Sequence, residues 1–350
     1  MLNTVYVLCM ILAILLMFTL MVVSHEWGHY ITAKKAGVLV HEFAVGMGPI
    51  VWSKQKGETL YSVRLLPIGG FCRMEGEEGE STNPRAMSAK KPWQKLIIVS
   101  AGAIMNFILA WVLCSICVGY SGIGTNVIGQ IEQGSPADKV GLMQGDEILS
   151  INGKEVKLIS DLSSEIAKTP STYTLTVKRD GKVSDIKIAS EMIGDEKVPR
   201  FGIRAEVAHF RIWDNIKYGF ETMIMMIVQV WKGLVGLLTG VFNLKDMSGP
   251  VGIMQASNTI WNEGISDGGL VHALMNMVSL TAMLSANLGV MNLLPFPALD
   301  GGRIIFILIE MIRGKAISAE KEGAVHFVGM VLLMLLTVVV LYNDIVRWIG

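Results

Sequence analysis

Charged residues are scarce in this sequence, and long stretches lack them altogether. Only 17% of the 350 residues are charged, whereas 51% are hydrophobic, and the mean hydropathy is +0.49. No charged side chain occurs between Met1 and Ser24. The 30 basic and 30 acidic residues cancel, so no surface of one charge sign is predicted and no nucleic-acid partner is expected. The composition is typical of a membrane protein, with the lipid bilayer as a partner.

Cysteine is also rare, and its positions exclude a disulfide-stabilised domain. The four cysteines are Cys9, Cys72, Cys114 and Cys117. None falls between residues 123 and 206, the long segment that is predicted below to lie outside the cell. Cys114 and Cys117 have the spacing of a redox or metal motif, but they lie in an apolar run without a second pair. We expect them to pack as small apolar side chains.

Four stretches without a charged side chain are long enough to cross a bilayer, which takes ~20 apolar residues. They are Val5–Val23, Leu96–Val118, Val271–Leu294 and Ala324–Tyr342. The sequence therefore predicts four transmembrane helices, assigned to residues 1–30, 96–118, 269–302 and 324–343. The first stretch lacks a basic n-region and a small-residue cleavage site, so we expect a retained helix and no signal peptide.

Lysine and arginine are distributed unequally around these spans. None precedes the first span, whereas two of the connecting segments carry many, among them Lys34, Lys35, Arg85, Lys90, Lys91, Lys95, Arg303, Arg313, Lys315 and Lys321. The positive-inside rule places residues 31–95 and 303–323 on the cytoplasmic side and both termini outside. Residues 123–206 are then extracytoplasmic.

The first apolar run ends in the pentapeptide His25-Glu26-Trp27-Gly28-His29. Two imidazoles four residues apart share one face of a helix and can hold a zinc ion, while the glutamate acts as general base toward water. The motif follows Val5 by ~30 Å of helix, which brings it close to the cytoplasmic boundary of the membrane. The sequence predicts one zinc ion per chain, in a hydrolytic site at the inner face.

Zinc requires a third protein ligand, which the motif does not specify. Asp300 ends an uncharged stretch that starts at Gly268, and a carboxylate at membrane depth is costly unless it is paired or bound to a cation. Glu310, near the inner end of an apolar helix, is its rival. Four other candidates lie in a polar stretch or at the ends of spans: His41, Glu42, His272 and His326.

Residues 123–206 are predicted to form a small α+β domain. They contain alternating strand patterns and a hairpin turn at Asn152-Gly153. Their segment Gly134–Asp146 resembles the core signature of PDZ domains, which bind a peptide by adding it as a strand. A domain of this kind without a peptide ligand is the alternative.

The segment 31–95 is predicted to contain a β-hairpin at about 59–74. Its strands are Thr59–Leu66 and Phe71–Met74, around a turn at Pro67–Gly70. An apolar hairpin beside a membrane site has an unpaired edge that can accept an unwound substrate strand. The alternative is a structural hairpin that packs on the spans.

Residues 207–268 are assigned to an interfacial segment, in which 220–238 have the pattern of an amphipathic helix on the membrane surface. A fifth transmembrane helix is the alternative there. The predicted fold class is a polytopic α-helical membrane protein with four transmembrane helices, a membrane-associated β-hairpin and an inserted α+β PDZ-like domain.

Several motifs, taken in this order, resemble the site-2 proteases of the RseP/RasP type. They are His25–His29 at the end of the first span, the PDZ-like insert, Ser248–Ile253, Asn287–Pro295 and Leu299–Gly302. The resemblance covers essentially the whole chain. The chain departs from the enterobacterial relatives because it has one PDZ-like domain where they have two, and it looks more like shorter bacterial or organellar relatives.

The resemblance implies an intramembrane zinc endopeptidase of a bacterial inner or plasma membrane, with zinc bound by His25, His29 and Asp300 and with Glu26 as the base. It also implies that Asn287 positions the substrate and that the Leu65–Met74 hairpin is a membrane-reentrant loop. The candidate substrate-binding residues are Asn287, Asn292, Leu66, Gly69, Gly70 and Phe71.

The implied substrates are single-pass transmembrane proteins. They include anti-sigma-factor-like proteins that undergo regulated intramembrane proteolysis, and signal-peptide remnants. The PDZ-like domain would bind a peptide C-terminus or an extended segment.

Two other functions are alternatives to zinc-dependent proteolysis. Gly119-Tyr120-Ser121-Gly122 fits the GxSG pattern of serine intramembrane proteases, but no histidine is placed on an obvious partner helix. A membrane-anchored PDZ receptor without catalysis would leave Asp300 as a buried carboxylate without a partner.

Overall fold

The computed structural model describes residues 2–77, 79, 81–166, 171–193, 199–208, 211–241 and 247–349. Parts of the predicted PDZ-like domain and of the predicted interfacial segment lie outside these residues. The chain divides into two compact units. The first is formed by Met1–Ile116 together with Ile216–Gly350, and the second by Cys117–Asn215.

Helices and strands are numbered along the chain. Those within the described residues are α1 Leu2–Lys35, β1 Val40–Lys56, β2 Thr59–Met74, α2 Pro92–Ser121, β3 Ile123–Ile131, α3 Pro136–Lys139, β4 Glu147–Ile151, β5 Lys154–Glu155, α4 Ile159–Glu165, β6 Thr172–Arg179, β7 Lys182–Ala189, β8 Ile203–Ala208, α5 Ile212–Leu238, α6 Pro250–Leu293, α7 Asp300–Arg313 and α8 Ala319–Ile349. Helix α1 continues through the zinc motif and ends on Lys34 and Lys35, where the helix dipole favours cations. Residues 31–35, predicted as loop, are therefore helical.

Five helices in the described part of the chain are long and apolar enough to cross a membrane: α1, α2, α5, α6 and α8. The sequence predicts four, and the additional one is α5. This helix packs against α2, where Trp111 Nε1 donates to the Ile216 carbonyl at 2.9 Å and a side chain at Gly219 would collide with Ser115. The predicted count of four is therefore not confirmed.

Helix α6 consists of two helical segments joined at Gly269, whose φ of 74° and ψ of −163° are not helical. A positive φ favours glycine because the residue has no Cβ. The two segments fold back on each other, since a Cβ at Gly264 would lie 2.5 Å from Ala273 Cα. Asn276 Nδ2 also donates to the Ile260 carbonyl across this turn. The second segment leads into Asp300 at the start of α7.

The β-hairpin differs from its prediction. Strands β1 and β2 pair antiparallel up to Lys56 and Thr59, so the turn lies at residues 57 and 58. Strand β2 continues through the segment predicted as the turn, with a positive φ of 83° at Gly69. The prediction of a turn at Pro67–Gly70 is wrong, because adjacent glycines also suit the irregular positions of a bent strand.

Both strands of the hairpin bend, so the first half of β1 contacts two segments of β2. Val45 has both Gly70 and Val63 as register partners. Within the described residues Gly70–Met74 pairs only with Val40–Val45, which leaves the other edge of this segment open. An open edge of this kind is a site for strand addition.

The second unit is an α+β domain whose sheet has the strand order β7-β6-β4-β3-β8. Asn152 and Gly153 have φ values of 49° and 80°, as the predicted two-residue turn requires. Asp146, only 1% exposed, accepts two hydrogen bonds of 2.6 Å from Arg179. These bonds hold the pKa of the Asp146 carboxyl below its usual value. Strand β8 forms one end of the sheet.

A buried carboxylate joins α6 to α8. Asp344 accepts hydrogen bonds from the backbone N–H groups of Gly249 at 3.2 Å and Gly252 at 2.9 Å. These groups belong to the start of α6, which no side chain of its own caps. A Cβ at Gly249 would lie 2.8 Å from the Asp344 carboxylate, which explains a glycine in the Ser248–Ile253 motif.

Replacing Asp344 by alanine should lower the midpoint of thermal unfolding in detergent. The change removes two hydrogen bonds to a charged acceptor, a loss of about 3–6 kcal/mol. Asp344→Asn should lose less, because one amide oxygen can still accept. Asn343→Ala on the same turn is the control and should leave the midpoint near that of the wild type. Equal midpoints for Asp344→Ala and the wild type would contradict this role.

Candidate metal centre

The two histidines of the pentapeptide are held side by side on α1. Because they are four residues apart on an uninterrupted helix, both imidazoles leave the same face, and their Nε2 atoms are 3.2 Å apart. His29 is buried and His25 is half-buried. Glu26, the next residue along the helix, is half-buried and lines the same cavity.

Asp300 reaches these imidazoles from the start of α7. Its Oδ2 atom lies 3.3 Å from His25 Nε2 and 3.5 Å from His29 Nε2. Gly301 and Gly302 allow this approach, since a Cβ at either would collide with the carbonyl groups of the preceding loop, at Leu294 and Phe296 respectively. The structure thus brings α1 and the start of α7, which are far apart in the sequence, together at three donor atoms.

These donor atoms fit a zinc ion. Two ligand atoms that are each about 2.0–2.1 Å from a tetrahedral ion are about 3.3 Å from each other. The three separations found here are 3.2, 3.3 and 3.5 Å. Asp300 Oδ2 is buried and has no hydrogen-bond partner within the described residues, as expected of an oxygen reserved for a cation. Two imidazoles and one carboxylate also leave a fourth position open, which is typical of catalytic zinc.

Helix α2 supports both histidines from behind. The Ile98 carbonyl lies 2.9 Å from His29 Nδ1, and the Asn106 side-chain amide lies 3.1 Å from His25 Nδ1. Gly102 lies between them, where a Cβ would collide with His29 Nε2. These residues are not among those predicted from the sequence. The available signal was one asparagine in the apolar span Leu96–Val118.

The rival third ligands are engaged elsewhere. Glu310 pairs with Lys95 at 3.0 Å, and His41 pairs with Glu75 at 2.6 Å. Glu42 accepts hydrogen bonds from Ser62 and Arg64. His326 Nδ1 accepts one from the Ala298 backbone N–H. His272 is not a member of the cluster of potential ligands found in the described residues.

A cavity of about 1080 Å³ opens onto the three donor atoms and Glu26. One wall is the segment Phe71–Met74 of β2, the segment with the open edge. The lining also includes Leu299 from the loop before α7 and Met330 from α8. An extended peptide in this cavity could therefore lie along β2 and beside the donor atoms.

The predicted substrate-binding residues are only partly brought together. Phe71 lines the cavity, and a Cβ at Gly70 would lie 3.8 Å from Glu26 Cγ, so both adjoin the site. Gly69 packs against Met47, and Leu66 is 55% exposed. Asn287 is exposed on α6 and Asn292 is half-buried; neither lines the cavity.

Ser121 does not have the surroundings of a nucleophile. Its hydroxyl is exposed and donates to the Cys117 carbonyl of its own helix at 2.8 Å. A serine nucleophile requires a base within hydrogen-bond reach, and the described residues place none there.

Known proteins match the chain over nearly its whole length. The model of peptidase family M50 matches residues 13–336. A candidate zinc metalloprotease of Clostridium acetobutylicum is 38% identical over 334 residues, covering 95% of this chain and 96% of that protein. The regulator of sigma-W protease RasP of Bacillus subtilis is 32% identical over 424 residues, covering 96% and 98%. The zinc metalloprotease RasP of Bacillus licheniformis is also 32% identical.

Gly102→Ala should abolish most zinc binding, because the added methyl group collides with His29 Nε2 and displaces the imidazole. We expect bound zinc, measured by elemental analysis of the purified protein, to fall by at least about tenfold. Gly233→Ala on α5 is the matched control, since a Cβ there meets nothing within 4 Å. Full zinc content in Gly102→Ala would show that α2 does not limit the site.

Proposed function

The chain belongs to peptidase family M50 and is a zinc metalloprotease, and from this premise we propose that it cleaves transmembrane segments of single-pass membrane proteins within the bilayer. The observation that carries the proposal is the convergence of His25, His29 and Asp300, beside Glu26, at the end of an apolar helix. Because these groups come from distant parts of the chain, their convergence supports a preformed metal-binding site.

His25, His29 and Asp300 are the proposed ligands. A zinc ion held by them supplies Lewis acidity toward a carbonyl oxygen and toward water. Glu26 is not a ligand in this arrangement, and its carboxylate is free to take the proton of the attacking water. It then returns that proton to the departing amine nitrogen, so that the carboxylate is regenerated in each cycle.

The open edge of β2 is the proposed substrate cradle. A transmembrane helix satisfies its own backbone hydrogen bonds, so its peptide bonds are protected until it unwinds. Segment Gly70–Met74 offers unpaired backbone groups next to Glu26, which would replace the hydrogen bonds that the substrate loses. Phe71 would contact a substrate side chain. Asn287, Asn292, Leu66 and Gly69 do not line the cavity and would contact only a longer stretch of substrate.

The substrate class follows from the relatives and from the second unit. The Bacillus subtilis relative is named as a regulator of sigma-W protease, which favours anti-sigma-factor-like substrates and regulated intramembrane proteolysis here; signal-peptide remnants are a further class. Strand β8, at the end of its sheet, would bind a peptide C-terminus or an extended segment. We place this domain outside the cell and the zinc site at the cytoplasmic face of a bacterial plasma membrane, with four crossings.

Glu26→Gln should retain about one zinc ion per chain and lose cleavage of a single-pass model substrate by about 10²–10⁴-fold. The amide cannot take a proton, whereas the three proposed ligands are unchanged. Zinc content and cleavage in liposomes are measured on the same preparation. Undiminished cleavage by this variant would rule out Glu26 as the base.

Asp300→Asn and Glu310→Gln separate the two predicted third ligands. Asp300→Asn removes a charged ligand and should lower zinc affinity by at least about tenfold, whereas Glu310→Gln should keep zinc. Glu310→Gln should instead lower thermal stability, because it leaves the buried Lys95 without its carboxylate. Zinc loss in Glu310→Gln together with full zinc in Asp300→Asn would reverse the assignment.

A further inference from the structure

His25 and His29 can bind zinc only through nitrogens that carry a lone pair. The ring nitrogen that faces the metal is set by the partner of the other nitrogen. For His29 this partner is the Ile98 carbonyl, which can only accept, so Nδ1 carries the proton and Nε2 the lone pair. His25 needs an equivalent acceptor at its own Nδ1.

Asn106 is the side chain that faces His25 Nδ1, and its amide nitrogen Nδ2 is the atom 3.1 Å away. It is fully buried, and its Oδ1 atom has no hydrogen-bond partner within the described residues. The amide presents two donors on one side and an acceptor on the other, and the two sides exchange when the group turns by 180°. Once the group turns so that the oxygen faces His25, Nδ1–H has its acceptor and the oxygen is no longer without a partner.

The orientation in the structure, with Nδ2 toward His25, is incompatible with a ligand. If the amide N–H donated to Nδ1, the proton of a neutral His25 would sit on Nε2. That nitrogen lies 3.2 Å from His29 Nε2 and 3.3 Å from Asp300 Oδ2, where the donor atoms converge. A protonated Nε2 has no lone pair for zinc.

We propose that Asn106 is a positioning residue whose amide oxygen accepts the Nδ1 proton of His25 and so holds His25 Nε2 ready to bind zinc. This inference rests on the proposed function, in which His25 is a ligand. The pair Asn106 and Ile98 then does the same work for the two histidines, eight residues apart on α2.

A purely structural role for the Asn106 side chain is not supported by its other contacts. Polar residues in membrane helices often join neighbouring helices. Here the bond to α6 runs from the Ser285 hydroxyl to the main-chain carbonyl of Asn106, at 2.8 Å. That bond survives any substitution at position 106, so the side chain is left to serve His25.

The test compares two variants of the full chain, one with and one without an acceptor at position 106. Asn106→Asp keeps an oxygen of the same reach, and Asn106→Leu keeps the volume without an acceptor. We expect Asn106→Leu to bind zinc about 10–100-fold more weakly and Asn106→Asp to stay within about threefold of the wild type. Affinity is measured by competition with a zinc chelator in detergent, and Co²⁺ absorption reports the ligand geometry.

Thr281→Val is the matched control, because it removes another buried polar group whose hydroxyl bonds only its own helix, at the Met277 carbonyl. It should bind zinc as the wild type does. If Asn106→Leu does not fold, Asn106→Ala takes its place with the same expected loss. Wild-type affinity in the variant without an acceptor would overturn the proposal, as would an equal loss in Asn106→Asp.

His25→Ala separates this inference from the one on which it rests. Loss of zinc in His25→Ala, together with wild-type affinity in Asn106→Leu, would overturn only the role of Asn106. Full zinc content in His25→Ala would instead overturn the proposed ligand set, and with it the reason for an acceptor at Asn106.

Discussion

The close approach of α2 to α1 is the contact on which the rest of the site depends. A Cβ at Gly28 would collide with the Ala101 carbonyl, and one at Gly102 would collide with His29. The two helices can therefore be this close only because both positions lack a side chain. This closeness brings the Ile98 carbonyl and the Asn106 amide within hydrogen-bond distance of the imidazoles. A wider spacing would leave two Nδ1 atoms without partners and two rings free to rotate.

The carboxylate half of the site is held by a different device. Asp300 follows a loop in which Ala298 has a φ of 75°, an uncommon value for a residue other than glycine. The backbone N–H of Ala298 donates to His326 of α8, and Gly329 of α8 packs against Pro297. Helix α8 thus fixes the loop that delivers Asp300. His326, one of the candidate ligands, thus supports the loop of the proposed ligand Asp300 instead.

Sequence reasoning could identify the parts of this site whose chemistry is local. The HExxH spacing places two histidines on one face of a helix. An unpaired carboxylate is costly at membrane depth, so Asp300, at the end of a long uncharged stretch, is identified as a candidate ligand. The choice between Asp300 and Glu310 needed the structure, because only contacts show that Lys95 neutralises Glu310. Asn106 was out of reach for the same reason, since a single asparagine in a span has no periodicity and its partner is 81 residues away.

The hairpin shows a different limit of sequence reasoning. Glycine permits a positive φ both in a turn and in a bent strand, so Gly69 alone could not distinguish these conformations. The pairing of β1 with two segments of β2 decides the matter, and that pairing is a long-range property. The open edge predicted beside the site nonetheless has a counterpart in the Phe71–Met74 wall of the cavity.

The short distances at the metal centre also constrain how the chain crosses the membrane. His25 and Asp300 lie at the same depth, so the chain between them must cross an even number of times. Helix α2 and the second segment of α6 meet this condition by themselves. If α5 also crosses, the first segment of α6 must cross too, and it carries Glu263 and Asp267. Placing those carboxylates in lipid is costly. The short distances at the metal centre therefore require that any crossings beyond α1, α2, the second segment of α6 and α8 come as a pair, formed by α5 and the first segment of α6.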